Sequence, residues 1–330
     1  MRSLRSPLPA LALTAATALL LTACGSTEAP ADAEETSSSS EGGAITVTDD
    51  RGEVELDAPA EKVVSLEWGL TENLLSLGVT PVGAADVEGY STWDQVVPLE
   101  GDVTDVGTRG EPSLDAIAGL GADLVVTTTD LPENVIAQIE ETVPVIALRG
   151  SDASDPIGHM RRTIEVLGEA TGRSDEAADV LTEYDAAVEE GKAALAEAGL
   201  EGSSFTMADG WVADGTVSVR MFTDGAFLGA LGEEIGLVNG WQGEGDADYG
   251  LAVTDVEGLT QLSDAPFLYL ASSSEADPFG EALATNPIWT GLPFVAAGDV
   301  HRLPDGIWQF GGPAAAQAWI EATVEALTAA

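Results

Sequence analysis

The stretch DPIGHMRRTIEVLGEATG, residues 155–172, lies near the middle of the chain and predicts one long helix. Apolar residues recur there at helical spacing, at positions 157, 160, 164 and 167. Asp155 is a candidate N-cap, and Gly172 is a residue type at which helices commonly stop. This helix therefore divides the chain into a part before it and a part after it.

Strand-like runs and helical stretches alternate on both sides of this helix. The strand-like runs before it are at 45–49, 53–56, 62–66, 124–128 and 144–148, and the helical stretches are at 70–78, 113–120 and 131–140. After it come a second helix at about 174–198, strands at 204–208 and 267–271, and a closing helix at 313–328. Such alternation predicts βαβ units and a mostly parallel sheet.

The chain length suits two domains, because 330 residues exceed one typical hydrophobic core. We therefore predict an α/β protein with two α/β lobes and mostly parallel sheets, joined by one long helix. The lobes are expected at 45–154 and 173–330, with 155–172 as the connecting helix.

The beginning of the chain, MRSLRSPLPALALTAATALLLTAC, has the pattern of an export signal: a short basic start, an apolar run and small residues. Its ending, residues 21–24, resembles the lipobox of bacterial lipoproteins. We predict a lipoprotein signal peptide at 1–23 and lipid modification of Cys24. A plain signal peptide cut nearby and an uncleaved anchor are the alternatives. The apolar run is shorter than the ~20 residues of a spanning helix, which favours a lipid anchor on the extracytoplasmic face of the cell membrane.

Residues 24–44 predict a disordered tether. The segment after Cys24, GSTEAPADAEETSSSSEGGA, contains no large apolar residue. A segment of this composition cannot bury enough surface to fold.

The charge balance argues against nucleic acid as a partner. The chain has 12 Lys+Arg against 57 Asp+Glu, a formal net charge of −45. Binding to a phosphate backbone requires clustered Lys and Arg, which this composition does not supply.

Signatures of enzymes are missing from the sequence. There is no nucleophile elbow, no phosphate-binding loop and no dinucleotide fingerprint. His159 and His301 stand far apart and form no zinc-binding motif. We therefore expect a protein that is not an enzyme and needs no cofactor. A lipid-anchored hydrolase and a structural lipoprotein are the alternatives from other functional classes.

Aromatic side chains and one arginine fall in loops of both halves, at Trp93, Arg109, Tyr249, Trp308 and Phe310. Each of these positions alone suits half-buried packing. Together they favour a shared binding cleft, because ligand clefts are lined by aromatic side chains with a few polar groups.

Several stretches resemble, in the same order, the siderophore-binding proteins of ABC iron importers, most closely the ferric hydroxamate-binding branch. They include DVGTRGEPSLDAI (105–117), GLVNGWQGEGDADYGLAVT (236–254) and NPIWTGLPFVAAGDVHRLPDGIWQFGGP (286–313), and the resemblance extends over about 45 to 328. It implies two α/β lobes joined by a long helix and a shallow cleft for a ferric siderophore. We accordingly expect a monomer that has no direct metal ligand and delivers its cargo to an ABC permease.

The resemblance also implies ligand contacts, which in that branch are one arginine and four aromatic positions. The matching residues are Trp93, Arg109, Tyr249, Trp308 and Phe310. The sequence departs from the family where the loop TTTDLPEN, residues 127–134, lacks a tyrosine that reaches iron-bound oxygens. It departs again where Phe310 replaces a tyrosine and Tyr249 replaces a tryptophan.

Arg109 offers a planar donor to the negative oxygens of a ferric hydroxamate. A surface salt bridge to Glu111 is the alternative role for this arginine. Arg220 stands where the family is usually apolar, and it is expected either to pair with Asp214 or Asp224 or to face the cleft. In the cleft, a second positive charge would disfavour cationic ferric siderophores.

Two acidic positions match those that dock on permease arginines in the family, Asp115 and Glu257. The alternative ligand is another large chelate: a catecholate siderophore, haem or cobalamin. Catecholate complexes are strongly negative and call for several converging cations, which a chain with so few Lys and Arg can hardly assemble.

Overall fold

The computed structural model describes residues 43–329, and the first half of that range builds a parallel sheet. Across this sheet the strands are β5 (Thr104–Asp105), β4 (Gly83–Ala84), β3 (Val63–Ser65), β6 (Leu124–Thr128) and β7 (Val145–Leu148). All neighbouring pairs run parallel. Every residue of β6 and β7 is buried, as expected for a sheet covered on both faces. Its helices are α1 (Trp68–Ser76), α2 (Val87–Trp93), α3 (Leu114–Leu120) and α4 (Glu133–Glu140).

The second half builds a mixed sheet. Its strands, in order, are β11 (Leu251–Thr254), β9 (Thr216–Phe222), β8 (Ser204–Ala213), β12 (Phe267–Tyr269) and β13 (Val300–Arg302), and β10 (Val238–Asn239) pairs with β8. β8 and β9 form an antiparallel hairpin, whose turn places Asp214 and Gly215 at positive φ. β12 lies parallel to both β8 and β13. The α/β class with mostly parallel strands is thereby confirmed.

The second half also contains helices. They are α6 (Ser174–Glu197), α7 (Phe227–Glu234), α8 (Pro287–Thr290), α9 (Pro293–Ala297) and α10 (Pro313–Thr328). A 3-10 turn at Gly258–Gln261 lies between β11 and β12, and a π-helical turn at Pro278–Ala282 lies between β12 and β13.

The central helix α5 spans Pro156–Thr171. The Asp155 carboxylate accepts a hydrogen bond from the Gly158 amide at 3.0 Å, and Gly172 closes the helix at φ 67°. Such capping satisfies backbone groups that have no partner within the helix. The local signals in the sequence thus predicted both ends.

The largest hydrophobic core passes through α5 from one half to the other. Ile164 and Leu167 of α5 belong to the same core cluster as Leu74 of α1 and Phe205 of β8. The described residues, 43–329, accordingly form one compact unit. The division into lobes at 45–154 and 173–330 stays a prediction.

Two expectations about local structure are wrong. β1 (Ile45–Thr48) and β2 (Glu53–Leu56) form a separate antiparallel hairpin instead of joining the parallel sheet. The four residues between them are too few for a parallel crossover. The stretch around Trp93, predicted as a loop, is helix α2, which the Asp86 side chain caps through the Gly89 amide.

The N-terminal predictions fall outside the described residues. The signal peptide, Cys24 and the tether up to residue 42 all lie there. Within residues 43–329, no helix is long and apolar enough to cross a membrane.

Candidate functional site

A cleft opens where the parallel strands of the first half end. It consists of two adjoining cavities of about 290 and 340 Å³, which share Arg109, Arg220 and Phe310. The first-half residues that line it come shortly after four strands: Glu67 after β3, Arg109 after β5, Asp130 after β6 and Arg149 after β7. β3 and β6 flank the point where the strand order reverses, and ligands of open α/β sheets bind at such points.

Arg109 lies on an aromatic surface and contacts one carboxylate. Its guanidinium lies 3.9 Å from the ring centroid of Trp68 and 5.4 Å from that of Trp308. Its Nη1 donates to Glu67 Oε1 at 2.7 Å, so its partner is Glu67 rather than the alternative Glu111. The Arg109 side chain keeps 35% of its surface exposed. The fork is therefore held in place while donors remain accessible from the cleft.

Glu67 is fixed by its position at the start of α1. Its Oε1 accepts from the Trp68 amide at 3.0 Å as well as from Arg109. Burial raises the pKa of Glu67, whereas Arg109 and the hydrogen bonds lower it. The carboxylate thus depends on Arg109 for its charge, and Arg109 depends on it for its position.

Aromatic side chains form the wall beside Arg109. Trp68, Tyr90 and Trp308 are buried together, with Trp93 and Phe310 packed against them. Only 6% of Trp308 is exposed, and its ring meets Trp68 edge-on at 4.9 Å. Trp308 therefore supports the wall from behind, while Trp93 and Phe310 have more surface available to a ligand.

Arg220 pairs with Asp209, which stands directly opposite it on β8. Its Nε donates to Asp209 Oδ1 at 2.9 Å, and its Nη2 contacts Oδ2. The expected partners Asp214 and Asp224 are wrong, because the hairpin register places Asp209 beside the guanidinium. Arg220 lines both cavities as well, 5.4 Å from the ring centroid of Phe310.

Asp209 is a buried carboxylate with a second donor. Gln309 Nε2 donates to its Oδ2 at 2.8 Å. Burial raises the pKa of Asp209, while Arg220 and Gln309 lower it. The charge of Arg220 is thus matched by a carboxylate within the same cleft.

Tyr249 connects the two halves across the cleft. Its hydroxyl donates to Asp130 Oδ2, and its ring meets Phe310 edge-on at 5.3 Å. Burial raises the pKa of Tyr249, and the hydrogen bond to Asp130 raises it further. Gly150 lies so close that a Cβ there would collide with the tyrosine oxygen. A tyrosine hydroxyl from the second half therefore reaches the loop 127–134, which has no tyrosine of its own.

Arg149 and His159 line the far end of the cleft. Arg149 donates to Asp152 Oδ2 at 2.5 Å and lies 3.7 Å from Asp50 Oδ1. Burial and the nearby Arg162 lower the pKa of His159, which favours its neutral form. Within residues 43–329 no group of three His, Cys, Asp or Glu residues is arranged to hold a metal ion.

Sequence reasoning brought together Trp93, Arg109, Tyr249, Trp308 and Phe310, and the structure places all of them in or directly behind the cleft. It missed several lining residues: Glu67, Trp68, Asp130, Arg149, Trp211 and Gln309. A usable signal existed for the first-half residues, because each of them follows a predicted strand within a few positions. No comparable signal marks Trp211 or Gln309.

The two predicted docking residues lie away from the cleft. Asp115 is exposed in the first turn of α3, and Glu257 is exposed just before the 3-10 turn. Neither residue lines the cavities described above.

Comparisons with known proteins agree with this architecture. Residues 63–306 match the family described as Periplasmic binding protein. The iron(3+)-hydroxamate-binding protein FhuD of Escherichia coli strain K12 is 26% identical over 265 residues, which are 78% of this chain and 84% of that protein. The Fe(3+)-citrate-binding protein YfmC of Bacillus subtilis strain 168 is 24% identical over 262 residues, 79% of each chain. The Fe3+–Desferal-bound siderophore-binding protein FhuD of Vibrio cholerae has a TM-score of 0.71 at 25% identity, over 82% of this chain and 98% of its own.

Proposed function

The chain belongs to the periplasmic binding protein family, and from that premise we propose that it binds a ferric siderophore of the hydroxamate type and delivers it to the permease of an ABC importer. Two relatives that cover most of the chain are named for iron chelates, one a hydroxamate and one a citrate. In this proposal the protein captures a ligand and catalyses no reaction.

The surroundings of Arg109 are the main support for the proposal. A ferric hydroxamate presents negative oxygens on an otherwise organic shell. A partly exposed guanidinium beside aromatic rings matches both features, because its N–H groups bond the oxygens and the rings contact the organic shell. Arg109 stacked on Trp68, with Phe310 and Tyr249 lining the same cavity, supplies this combination.

A hydroxamate fits the charges of the cleft better than the alternative chelates do. A ferric catecholate is strongly negative and requires several uncompensated cations. The arginines that line the cleft are each paired with a carboxylate: Arg109 with Glu67, Arg220 with Asp209 and Arg149 with Asp152. Haem and cobalamin remain the other members of the alternative class of large chelates.

A ligand panel tests the proposal. The full chain, purified in detergent, is titrated with a ferric trihydroxamate, a ferric tris-catecholate, ferric citrate and haem, and quenching of its 7 tryptophans is followed. We expect the trihydroxamate to bind most tightly, because its complex carries the least negative charge of the four chelates. Tighter binding of any other chelate would replace the hydroxamate assignment, and no saturable quenching with any of them would reject the function.

We also propose how the protein is held and how it docks. Cys24 carries the lipid that places the protein on the extracytoplasmic face of the membrane, where a double acyl chain is needed for stable anchoring. The Cys24→Ala variant should appear in the medium or keep its signal peptide, and unchanged processing and membrane association would reject the anchor.

Asp115 and Glu257 are the proposed contacts to permease arginines.

A further inference from the structure

The charged residues of the cleft differ in whether they contact a partner of opposite charge. Each of its three arginines contacts at least one carboxylate, as described above. The negative charges of Glu67 and Asp209 are thereby offset by Arg109 and Arg220. Arg220, whose charge was expected to disfavour cationic ligands, adds no net charge, because Asp209 lies against it.

Two carboxylates line the first of the two cavities, Glu67 and Asp130, and of these Asp130 has no cationic partner among the described residues. Among residues 43–329, no Lys, Arg or His nitrogen lies within salt-bridge distance of it. Its two hydrogen-bond donors are hydroxyls, those of Tyr249 and of Thr128, the latter at 3.4 Å. Both hydroxyls bond Oδ2, and within the same residues Oδ1 accepts from no donor. Asp130 is an exposed residue, and it lines the first cavity of the cleft.

The position of Asp130 is fixed by its neighbours. The Tyr249 hydroxyl holds Oδ2 from across the cleft, and the Gly150 backbone lies against both side chains with no room for a Cβ. Glu67 lies near enough for Asp130 to disfavour its ionised form, although burial is the larger effect on the pKa of Glu67. Glu67 and Arg109 offset each other's charge, whereas among the described residues no cation in contact with Asp130 offsets the charge of that carboxylate.

This inference rests on the proposed function and names the charge of the ligand. We propose that Asp130 selects ferric siderophores that carry a positively charged group, by accepting a hydrogen bond from a ligand ammonium at Oδ1. Hydrogen bonds between ionised partners are stronger than neutral ones, and a partly enclosed cleft screens them less than open water does. A ligand that carries a carboxylate at this place would instead meet a like charge.

A matched pair of ligands tests this selection. One is a linear ferric trihydroxamate that ends in a primary ammonium, and the other is its N-acetyl derivative, which has the same iron-binding groups and no ammonium. Affinities of both for the full chain are measured by tryptophan quenching. The variants are Asp130→Asn, which removes the charge and keeps the shape, and Asp102→Asn as the control. Asp102 is exposed, and it does not line the cleft.

The expected result is a preference of the unaltered chain for the ammonium ligand by about tenfold or more, the size of one hydrogen bond to a charged group. Asp130→Asn should bring the two affinities to within about twofold of each other, and Asp102→Asn should keep the full preference. Equal affinities in the unaltered chain, or a preference that survives in Asp130→Asn, would overturn the selection while both ligands still bind. If neither ligand binds the unaltered chain, the proposed function fails and this inference fails with it.

Discussion

Arg109 shows how a single cation is used in a strongly acidic chain. Glu67 takes one of its donors, and Trp68 covers one face of the guanidinium, so the side chain is ordered before a ligand arrives. Ordering a long side chain in advance lowers the entropy lost upon binding. An unpaired surface arginine would have no such advantage.

Replacing Arg109 should weaken ligand binding without abolishing the fold. A hydrogen bond to a charged group contributes about 1.5–3 kcal/mol, so Arg109→Ala should raise the Kd for a ferric trihydroxamate by roughly ten- to a hundredfold. Arg109→Lys should recover only part of the loss, because an ammonium cannot bond as a planar fork. Tryptophan quenching gives both constants. Arg173→Ala serves as the control, since Arg173 contacts Glu176 on the surface. An unchanged Kd in Arg109→Ala would contradict the assigned role.

Sequence reasoning located the cleft aromatics and Arg109 but not their carboxylate partners. Position in a loop and residue type are local properties, so they can be judged along the chain. The pairing of Arg220 with Asp209 depends on the register of the β8–β9 hairpin, and that of Arg109 with Glu67 depends on two loops that are far apart in the sequence. The chain offers 57 acids as partners, and composition alone does not choose among them.

At the scale of elements, two helices meet through a buried carboxyl pair. Glu72 of α1 accepts from the amides of Gly312 and Ala315 at 2.9 and 3.1 Å, at the start of α10. Asp94, which ends α2, is also buried, and the charge of Glu72 acts on its carboxyl. Within residues 43–329, both Asp94 oxygens and Glu72 Oε2 have no hydrogen-bond partner. Burial raises the pKa of both carboxyls, and the charge of Glu72 raises that of Asp94 further.

This pair makes stability fall as pH rises. Both carboxyls titrate near pH 4 when unfolded and at higher pH when folded, so between these values the folded state binds more protons. The Asp94→Asn variant removes one titrating group and keeps a donor toward Glu72. At pH 8 its free energy of unfolding should exceed that of the unaltered chain by at least about 1 kcal/mol, and the difference should be smaller at pH 5. Urea unfolding at both pH values measures this, and an equal difference at pH 5 and pH 8 would contradict the raised pKa values of the pair.

The β8–β9 hairpin is stabilised by the cross-strand ion pair of Arg220 and Asp209. Arg220→Leu leaves Asp209 buried with Gln309 as its remaining side-chain donor, which should destabilise the fold by about 3 kcal/mol. Asp209→Asn combined with Arg220→Leu should restore much of that loss, because no unpaired charge is then buried. Urea unfolding of the two variants decides the matter. A single variant as stable as the unaltered chain would show that the pair contributes little.

Elements with local signals were predictable, and those defined by pairing were not. Helix α5 carries its cap, its apolar spacing and its terminal glycine within 18 residues, and its bounds agree with the prediction. β4 and β5 have two residues each and exist only as partners of β3 and of one another. The β1–β2 hairpin has the composition of sheet strands, and only its short connection distinguishes it.

At the scale of the whole molecule, the continuous core through α5 argues for little closure around the ligand. Leu74, Ile164 and Phe205 belong to one cluster, so a large hinge motion would separate packed apolar surface. The surface proposed to dock on a permease is then already formed in the unliganded chain.

Docking is expected to depend on Asp115 and Glu257 but not on the cleft. Charge reversal at both positions, Asp115→Lys with Glu257→Lys, should abolish ligand uptake into cells because each new cation repels the permease arginines. The Kd for the ligand should stay the same, since neither residue lines the cleft. Reversal of the exposed Asp102 and Asp264 serves as a control for net charge. Unchanged uptake in the first double variant would reject the docking assignment.

Calorimetric titration of the full chain with a ferric trihydroxamate tests the central claim most directly, because it reports affinity and stoichiometry together. The cleft with Arg109 and its aromatic wall predicts saturation at one ferric complex per chain. The same cleft predicts that the iron-free siderophore binds more weakly, by about tenfold or more. Without iron, the hydroxamate oxygens are protonated and do not converge on one point, so Arg109 cannot bond them together. No saturable heat with the ferric complex, or equal affinity for the iron-free form, would contradict the claim.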